Sequence, residues 1–204
     1  MLVMQAIGLN REKRAAALTF TLENYLASQR ITLSGTSQWS HVDSNPITAI
    51  ETAIETPIMR PNIMVLGKDS WSGLRRHPKI VEAVTGTGAQ YGLATTEQVA
   101  TLFELEKVLV GRSRGNLAVW GQTPNLSPLW GKHAALLYHD PLSRNTIDAP
   151  PTWGMTARFG DRFGGTIPVP DMGARGGVRV RAGESVQELI VAQNCGYLFT
   201  NAVA

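Results

Sequence analysis

Four histidines and one cysteine are the side chains of this sequence that could ligate a metal or form a nucleophile–base pair. His133 and His139 flank one predicted strand and share a face, but no acidic ligand motif accompanies them, and two imidazoles alone make an incomplete zinc site. Asp140 follows His139 directly, so in an extended chain its carboxylate points the other way. Cys195 sits among apolar residues, which is typical of a small core side chain. We predict no metal site and no cofactor.

A glycine-rich segment, TGTGAQYGL at 85–93, resembles a phosphate-binding loop at first sight. Such a loop should follow a strand, open a helix and end in Lys-Ser/Thr, or be followed by a distal acid. This segment follows a helical stretch and has neither feature, so a surface or inter-subunit loop is the better interpretation. With no H-E-x-x-H motif and scattered carboxylates, the sequence predicts no enzyme and no small-molecule substrate.

Composition narrows the class of protein further. Of 204 residues, 43% are hydrophobic and 17% charged, which is typical of a globular chain with a sizeable core. A net charge of +3 does not suggest a dedicated nucleic-acid binder. The apolar start lacks a basic region and a cleavage site, and no apolar run is long enough to span a membrane. We expect a protein made in a reducing cytoplasm, with no membrane partner.

The predicted elements are organised around the last stretch, 178–204. Val178 to Arg181 alternate like a half-buried strand, and apolar runs follow at 189–192 and 197–199. Because the chain stops soon afterwards, these closing strands should lie inside a sheet. Leu189→Asp and Phe199→Asp should therefore both abolish soluble folding, whereas Arg181→Ala should not.

Upstream, the spacing of apolar residues predicts one long helix over 2–28, apolar at both ends and charged at its centre. Further helices are predicted at 45–56, 71–76 (capped by Asp69 or Ser70), 79–84 and 97–103 (capped by Thr96). A short strand followed by a turn around Gly35 is predicted within 31–40, and further strands at 62–66, 105–110, 132–139 and 152–159. A loop or hairpin is predicted at 112–130 and a Gly/Pro-rich excursion at 163–175. The order favours an α+β fold, a mixed sheet covered by helices.

The ordered series of segments resembles the major capsid proteins of tailed phages and prophages with the Hong Kong 97-type fold. No single motif is catalytic, and the specificity lies in the series. The segments are NREKRAA (10–16), LSGTSQWS (33–40), NPITAIETA (45–53), PIMRPNIMVLG (57–67), LRRHPKIVEAVTGTGAQ (74–90), LFELEKVLVG (102–111), WGKHAALLY (130–138), GTIPVPDMGARGGVRVR (165–181) and ESVQELIVAQNCGYLFTNAV (184–203).

The resemblance implies a long spine helix and mixed sheets in axial and peripheral domains. Residues 1–44 would supply the spine helix and first strand, 45–140 the axial domain, 141–188 the peripheral-domain return, and 189–204 the closing strands of the axial sheet. Family members carry an N-terminal arm and an extended loop before the spine helix. We expect both to be missing here, and the isolated chain to form a monomer or small ring rather than a closed icosahedron.

The implied function is a structural subunit of a phage or prophage shell in the virion, assembled in the bacterial cytoplasm as pentamer and hexamer rings around double-stranded DNA. Two alternatives stay open: an encapsulin-like compartment and a capsid remnant that does not assemble. The candidate inter-subunit residues are Gly86, Gly88, Tyr91, Arg112, Arg114 and Trp120. The candidate residues facing DNA, by weak non-specific contact, are Arg11, Arg14 and Arg175.

Overall fold

The computed structural model describes residues 2–86, 92–116, 118–119, 121–140 and 151–204. These ranges contain five helices and nine strands, with the helices mostly in the first half and a run of seven strands in the second, as is typical of an α+β fold. The helices are α1 (Leu2–Thr19), α2 (Pro46–Glu55), α3 (Lys68–Leu74), α4 (Pro78–Thr85) and α5 (Thr96–Leu102). The strands are β1 (Arg30–Thr32), β2 (Ile63–Gly67), β3 (Lys107–Gly111), β4 (Arg114–Asn116), β5 (Leu126–Pro128), β6 (Ala134–Leu137), β7 (Gly154–Val169), β8 (Gly177–Ile190) and β9 (Gly196–Thr200).

The main sheet has five strands in the order β1-β9-β6-β2-β3. The β1–β9 and β2–β3 pairs are parallel, whereas β6 runs antiparallel to both of its neighbours, so the sheet is mixed. Strand β9 lies between β1 and β6, which confirms that the end of the chain is inside a sheet. Every residue of β2 is buried, as its continuous apolar run predicts.

Both faces of the main sheet are covered. The larger core lies under helices α2 to α5 and includes Trp39, Leu66, Leu136 and Phe199. A smaller cluster on the opposite face holds Tyr25, Trp153, Leu198 and Cys195. The thiol of Cys195 is buried, as predicted, and burial raises its pKa. Trp39, Trp71 and Trp153 are all buried core residues.

The helix predicted over 2–28 is wrong in its second half, because α1 ends at Thr19. Side chains just downstream donate hydrogen bonds to the backbone carbonyls that would accept from backbone N–H groups in a longer helix. The Asn24 amide donates to the Leu18 carbonyl at 2.7 Å, and the Tyr25 hydroxyl donates to the Thr19 carbonyl at 2.8 Å. Two short 3₁₀ turns, Leu22–Asn24 and Ala27–Gln29, then lead into β1.

Two helix starts also differ from prediction. Helix α3 begins at Lys68 with Gly67 as its N-cap, so neither Asp69 nor Ser70 caps it. The N-cap of α5 is Thr95. Its hydroxyl accepts a hydrogen bond from the backbone N–H of Gln98, and the side-chain oxygen of Gln98 accepts one from the backbone N–H of Thr95. This reciprocal pair is a capping box, which needs a Glu or Gln three residues on, and Gln98 supplies it only for Thr95.

The first half of the Gly/Pro-rich stretch 163–175 is part of a strand and not the excursion that the sequence predicts. Residues up to Val169 continue β7, which pairs antiparallel with β8 over almost their whole lengths. We call this pair the long ribbon. Val178 and Val180 are 62% and 55% exposed, so the strand predicted to be half-buried is largely open on both faces. Leu189 also belongs to the ribbon and not to the main sheet.

The loop or hairpin predicted at 112–130 is an antiparallel hairpin of β4 and β5. Within the described ranges, no helix is long and apolar enough to cross a membrane.

Candidate assembly surfaces

The charged centre of α1 connects the helix to the main body of the fold. The Glu12 carboxylate accepts a hydrogen bond from the indole Nε1–H of Trp130 at 2.7 Å and another from the Ser113 hydroxyl. Trp130 lies flat over Gly111 at the end of β3, where an added Cβ would fall 2.1 Å from the indole. Only glycine admits this close approach. Glu12 therefore fastens α1 to the β4–β5 hairpin and the edge of the main sheet.

The same helix is fastened to the long ribbon by its arginines. The Arg14 guanidinium donates two hydrogen bonds to Glu188 at 3.0 and 3.1 Å, and Arg11 lies 3.8 Å from the same carboxylate. The Arg14 hydrogen bonds lower the pKa of Glu188 and raise that of Arg14 itself. Arg11 and Arg14, the candidate DNA-facing residues, thus contact a carboxylate of their own chain. Fork-like pairing of this kind fixes orientation as well as charge.

The long ribbon has two distinct faces because successive side chains of a strand alternate. Even-numbered residues of β8, such as Glu188, Val186 and Glu184, face α1, which packs along this strand. We call this the inner face. The opposite, outer face carries Leu189, Arg181 and Arg179 from β8, with their β7 partners. A two-stranded ribbon is marginal in water unless a face is covered, and α1 covers only part of the inner one, because Val178 and Val180 on that face stay exposed.

A bulge between Phe159 and Phe163 interrupts the ribbon and is braced by ion pairs. Arg158 donates to the Gly160 carbonyl at 2.9 Å and to Asp161 at 2.7 Å. Arg162 donates twice to Glu184, at 2.9 and 2.7 Å. Phe159, at the start of the bulge, is 87% exposed. Sequence reasoning missed this feature, and the pattern F-G-D-R-F between alternating residues was the signal that could have indicated a bulge.

The predicted inter-subunit residues fall in separate places. Gly86 is the C-cap of α4 with φ of +72°, a conformation that glycine adopts without strain. Arg112 and Arg114 are exposed at the start of the β4–β5 hairpin. Gly88, Tyr91 and Trp120 lie outside the described residues. Arg175, predicted to face DNA, is exposed in the turn that joins the two ribbon strands.

The histidines do not converge. The His133 ring packs against the ring of Phe20, with 5.2 Å between the ring centroids. Its Nδ1 accepts a hydrogen bond from the backbone N–H of Asn201 at 3.3 Å. His77 is buried elsewhere, under α3 and α4, beside Ser44. Searching the described residues finds no group of three or more His, Cys, Asp or Glu that could hold a metal.

Residues 111–115, Gly-Arg-Ser-Arg-Gly, have the G-x-S-x-G spacing of a hydrolase nucleophile elbow, a motif that sequence reasoning missed. An elbow places its serine between a strand and a helix. Ser113 instead lies between β3 and β4, and its hydroxyl donates to Glu12. This serine is a structural contact of α1 and not a nucleophile with an adjacent base.

An open groove of about 490 Å³ lies between α2, the segment after it and the end of α5. Three carboxylates line it, from Glu51, Glu55 and Glu104, and Arg60 binds only Glu104, at 2.7 Å. Ile58, 75% exposed, supplies an apolar wall. We call this the acidic groove.

Comparison with known proteins gives consistent results. The family model of phage major capsid protein E matches residues 14–137. The chain is 46% identical over 198 residues to the major capsid protein of Pseudomonas phage JBD67, a match that covers 97% of this chain. It is 30% identical over 162 residues to that of Burkholderia phage BcepMu, covering 76% of this chain. The matches span 63% and 50% of the length of those two relatives.

Among solved structures, a phage-related protein from Bordetella bronchiseptica RB50 superposes with a TM-score of 0.82 at 25% identity. That match covers 98% of this chain and 65% of the other. An encapsulin complex from Synechococcus elongatus reaches a TM-score of only 0.40 at 7% identity, too low to carry an argument.

Proposed function

Since this chain belongs to the phage major capsid protein E family, we propose that it is a structural subunit of a bacteriophage capsid shell, which encloses double-stranded DNA and performs no catalysis. The observation that carries the proposal is the 46% identity to a major capsid protein, which extends over 97% of this chain.

The geometry supports a role in assembly rather than chemistry. A shell subunit needs contacts on several sides, and the long ribbon leaves one apolar face uncovered. Exposed apolar patches of this kind mark interaction surfaces in soluble proteins. Two residues whose side chains could do chemistry, Ser113 and His133, form hydrogen bonds to other parts of the fold instead.

We propose further that the fold is of the Hong Kong 97 type. In that arrangement α1 is the spine helix, the five-stranded sheet with α2 to α5 forms the axial domain, and the long ribbon belongs to the peripheral domain. The two-sided fastening of α1, through Glu12 to the sheet and through Arg14 to the ribbon, supports a helix that joins two units.

The proposed partners are other copies of the chain, in pentamer and hexamer rings, and packaged DNA by weak, non-specific contact. Because Arg11 and Arg14 share the Glu188 carboxylate, the exposed arginines Arg112, Arg114 and Arg175, which have no ion-pair partner among the described residues, are better candidates for phosphate contact. Contact through these three arginines alone should be weak and strongly salt-dependent.

Purified particles from phage-producing cells test the function directly. We expect mass spectrometry to find this chain as the dominant shell component, in particles that protect double-stranded DNA from nuclease. Particles with a protein cargo and no DNA would favour an encapsulin-like compartment. A chain absent from purified particles would contradict the proposal.

A further inference from the structure

The outer face of the long ribbon is an apolar stripe with no covering element among the described residues. Phe159 and Phe163 are 87% and 59% exposed, and Ile167 and Leu189 on the same face are 44% and 38% exposed. At roughly 3.3 Å per residue, a strand of this length extends about 50 Å. Aromatic side chains are enriched at protein–protein interfaces, so this face has the composition of a docking surface.

The stripe is also cationic. Arg179 pairs across the ribbon with Ile167, and Arg181 with Gly165, which places both guanidinium groups on the outer face. Neither arginine has an ion-pair partner in the part of the chain that the structure describes. A partner must therefore present both apolar surface and carboxylates.

The chain itself carries such a surface in the acidic groove. Glu51 and Glu55 are four residues apart on α2 and so project from one side of the helix. Glu104 adds a third carboxylate, and Arg60 neutralises only this one. Ile58 and Leu102 provide apolar contacts between the charges. The groove thus complements the ribbon in charge and in apolar character.

We propose that the outer face of the long ribbon of one subunit docks in the acidic groove of a second copy of this chain. The inference rests on the proposed function and specifies one of its contacts. Because the two surfaces are different, the contact is heterologous and can repeat from copy to copy. Ribbon-to-ribbon docking would oppose Arg179 and Arg181 to their own copies, which complementarity disfavours. Duplex DNA would match the cations but would leave the phenylalanines exposed.

Charge reversal with rescue tests the docking. Sedimentation velocity over a concentration series gives the self-association of the 204-residue chain, with circular dichroism to confirm folding. We expect the pair Arg179→Glu and Arg181→Glu, and separately Glu51→Lys and Glu55→Lys, to weaken association by about tenfold or more. Combining all four changes in one chain should restore it to within about threefold of wild type. Lys68→Glu with Arg76→Glu, an equal reversal at the exposed first residue of α3 and in the turn after this helix, is the matched control and should have little effect.

A second measurement keeps the test valid if a reversed variant misfolds. One chain carries Arg181→Cys and a second chain carries Glu55→Cys. Mixed under mild oxidation, the two variants should form a disulfide-linked mixed dimer, and neither variant alone should form as much disulfide-linked dimer. The native Cys195 is buried and should not compete.

Unchanged association in the reversed pairs, or a failed rescue, would overturn the docking but leave the proposed shell function standing. The same holds if wild type stays monomeric, since particle composition tests the function independently. If reversal at Arg179 and Arg181 abolished retention of a DNA duplex while self-association was unaffected, the ribbon would face DNA and the inference would be wrong.

Discussion

Replacing Glu12 with alanine should loosen the connection between α1 and the main sheet. The carboxylate oxygen Oε1 accepts both the Trp130 indole N–H, at 2.7 Å, and the Ser113 hydroxyl. A hydrogen bond to a charged group contributes about 1.5–3 kcal/mol when buried, and this site is part-buried, so about 1 kcal/mol each is appropriate. The half-buried indole N–H would also be left without its acceptor. We expect Glu12→Ala to lower the free energy of unfolding by about 2–3 kcal/mol.

Glu12→Gln separates the hydrogen bonds from the charge. The amide oxygen can take the place of Oε1 and accept from both donors, so this variant should lose less than about 1 kcal/mol. Trp130→Phe removes one donor only and should be coupled to Glu12→Ala by about 1 kcal/mol in a double-mutant cycle. Lys13→Ala, an exposed neighbour in the same turn, controls for the gain in helix propensity that alanine brings.

Urea unfolding followed by circular dichroism gives these differences, and thermal melting should show a fall of about 5–10 °C for Glu12→Ala in a chain of this size. If Glu12→Gln were as damaging as Glu12→Ala, the charge rather than the hydrogen bonds would hold the helix. If Glu12→Ala and Lys13→Ala unfolded alike, the contact to Trp130 would contribute nothing, and our account of how α1 is fastened would be refuted.

Three further changes follow from burial. Phe199→Asp should prevent soluble folding because Phe199 is 1% exposed in the main sheet, whereas Leu189→Asp should fold because Leu189 is 38% exposed on the ribbon; solubility and melting of both variants check this. Gly111→Ala should cost a few kcal/mol in urea unfolding, since its methyl group would displace the Trp130 indole, and a normal stability would show that the indole moves freely. Burial lowers the pKa of His77, whose Nε2 contacts the His41 carbonyl at 3.2 Å and whose Nδ1 is buried without a partner, so protonation is unfavourable in the folded state. The melting temperature should thus be highest above about pH 6.5 and fall as the pH drops below the unfolded-state pKa, and His77→Gln should flatten this profile if its own folding is intact.

Much of the local structure could be predicted from sequence alone. The continuous apolar run of β2, the proline that opens α2 and the buried Cys195 each reflect interactions between near neighbours or a simple need for burial. The family could be recognised too, because the series of segments carries it without any knowledge of contacts. The inter-subunit and DNA-facing residues all stay predictions, and Gly88, Tyr91 and Trp120 also lie outside the described residues.

The surfaces could not be predicted in the same way. The alternation of Val178 to Arg181 showed that successive side chains point to opposite faces of the strand. It did not show whether another part of the fold covers either face. Leu189 reads as core in the sequence and lies on an open ribbon because its pairing partner is Met155, a residue far away along the chain.

Sequence by itself determined which residues are apolar, which segments form short helices and strands, and which family the chain belongs to. Only the tertiary structure decided that α1 ends at Thr19, that Glu12 binds Trp130, and that Arg14 pairs with Glu188 instead of facing solvent freely. The physical reason is the separation of the partners. Local propensity acts over a few residues, whereas the Arg14–Glu188 contact joins residues 174 positions apart and exists only once the ribbon has folded against the helix.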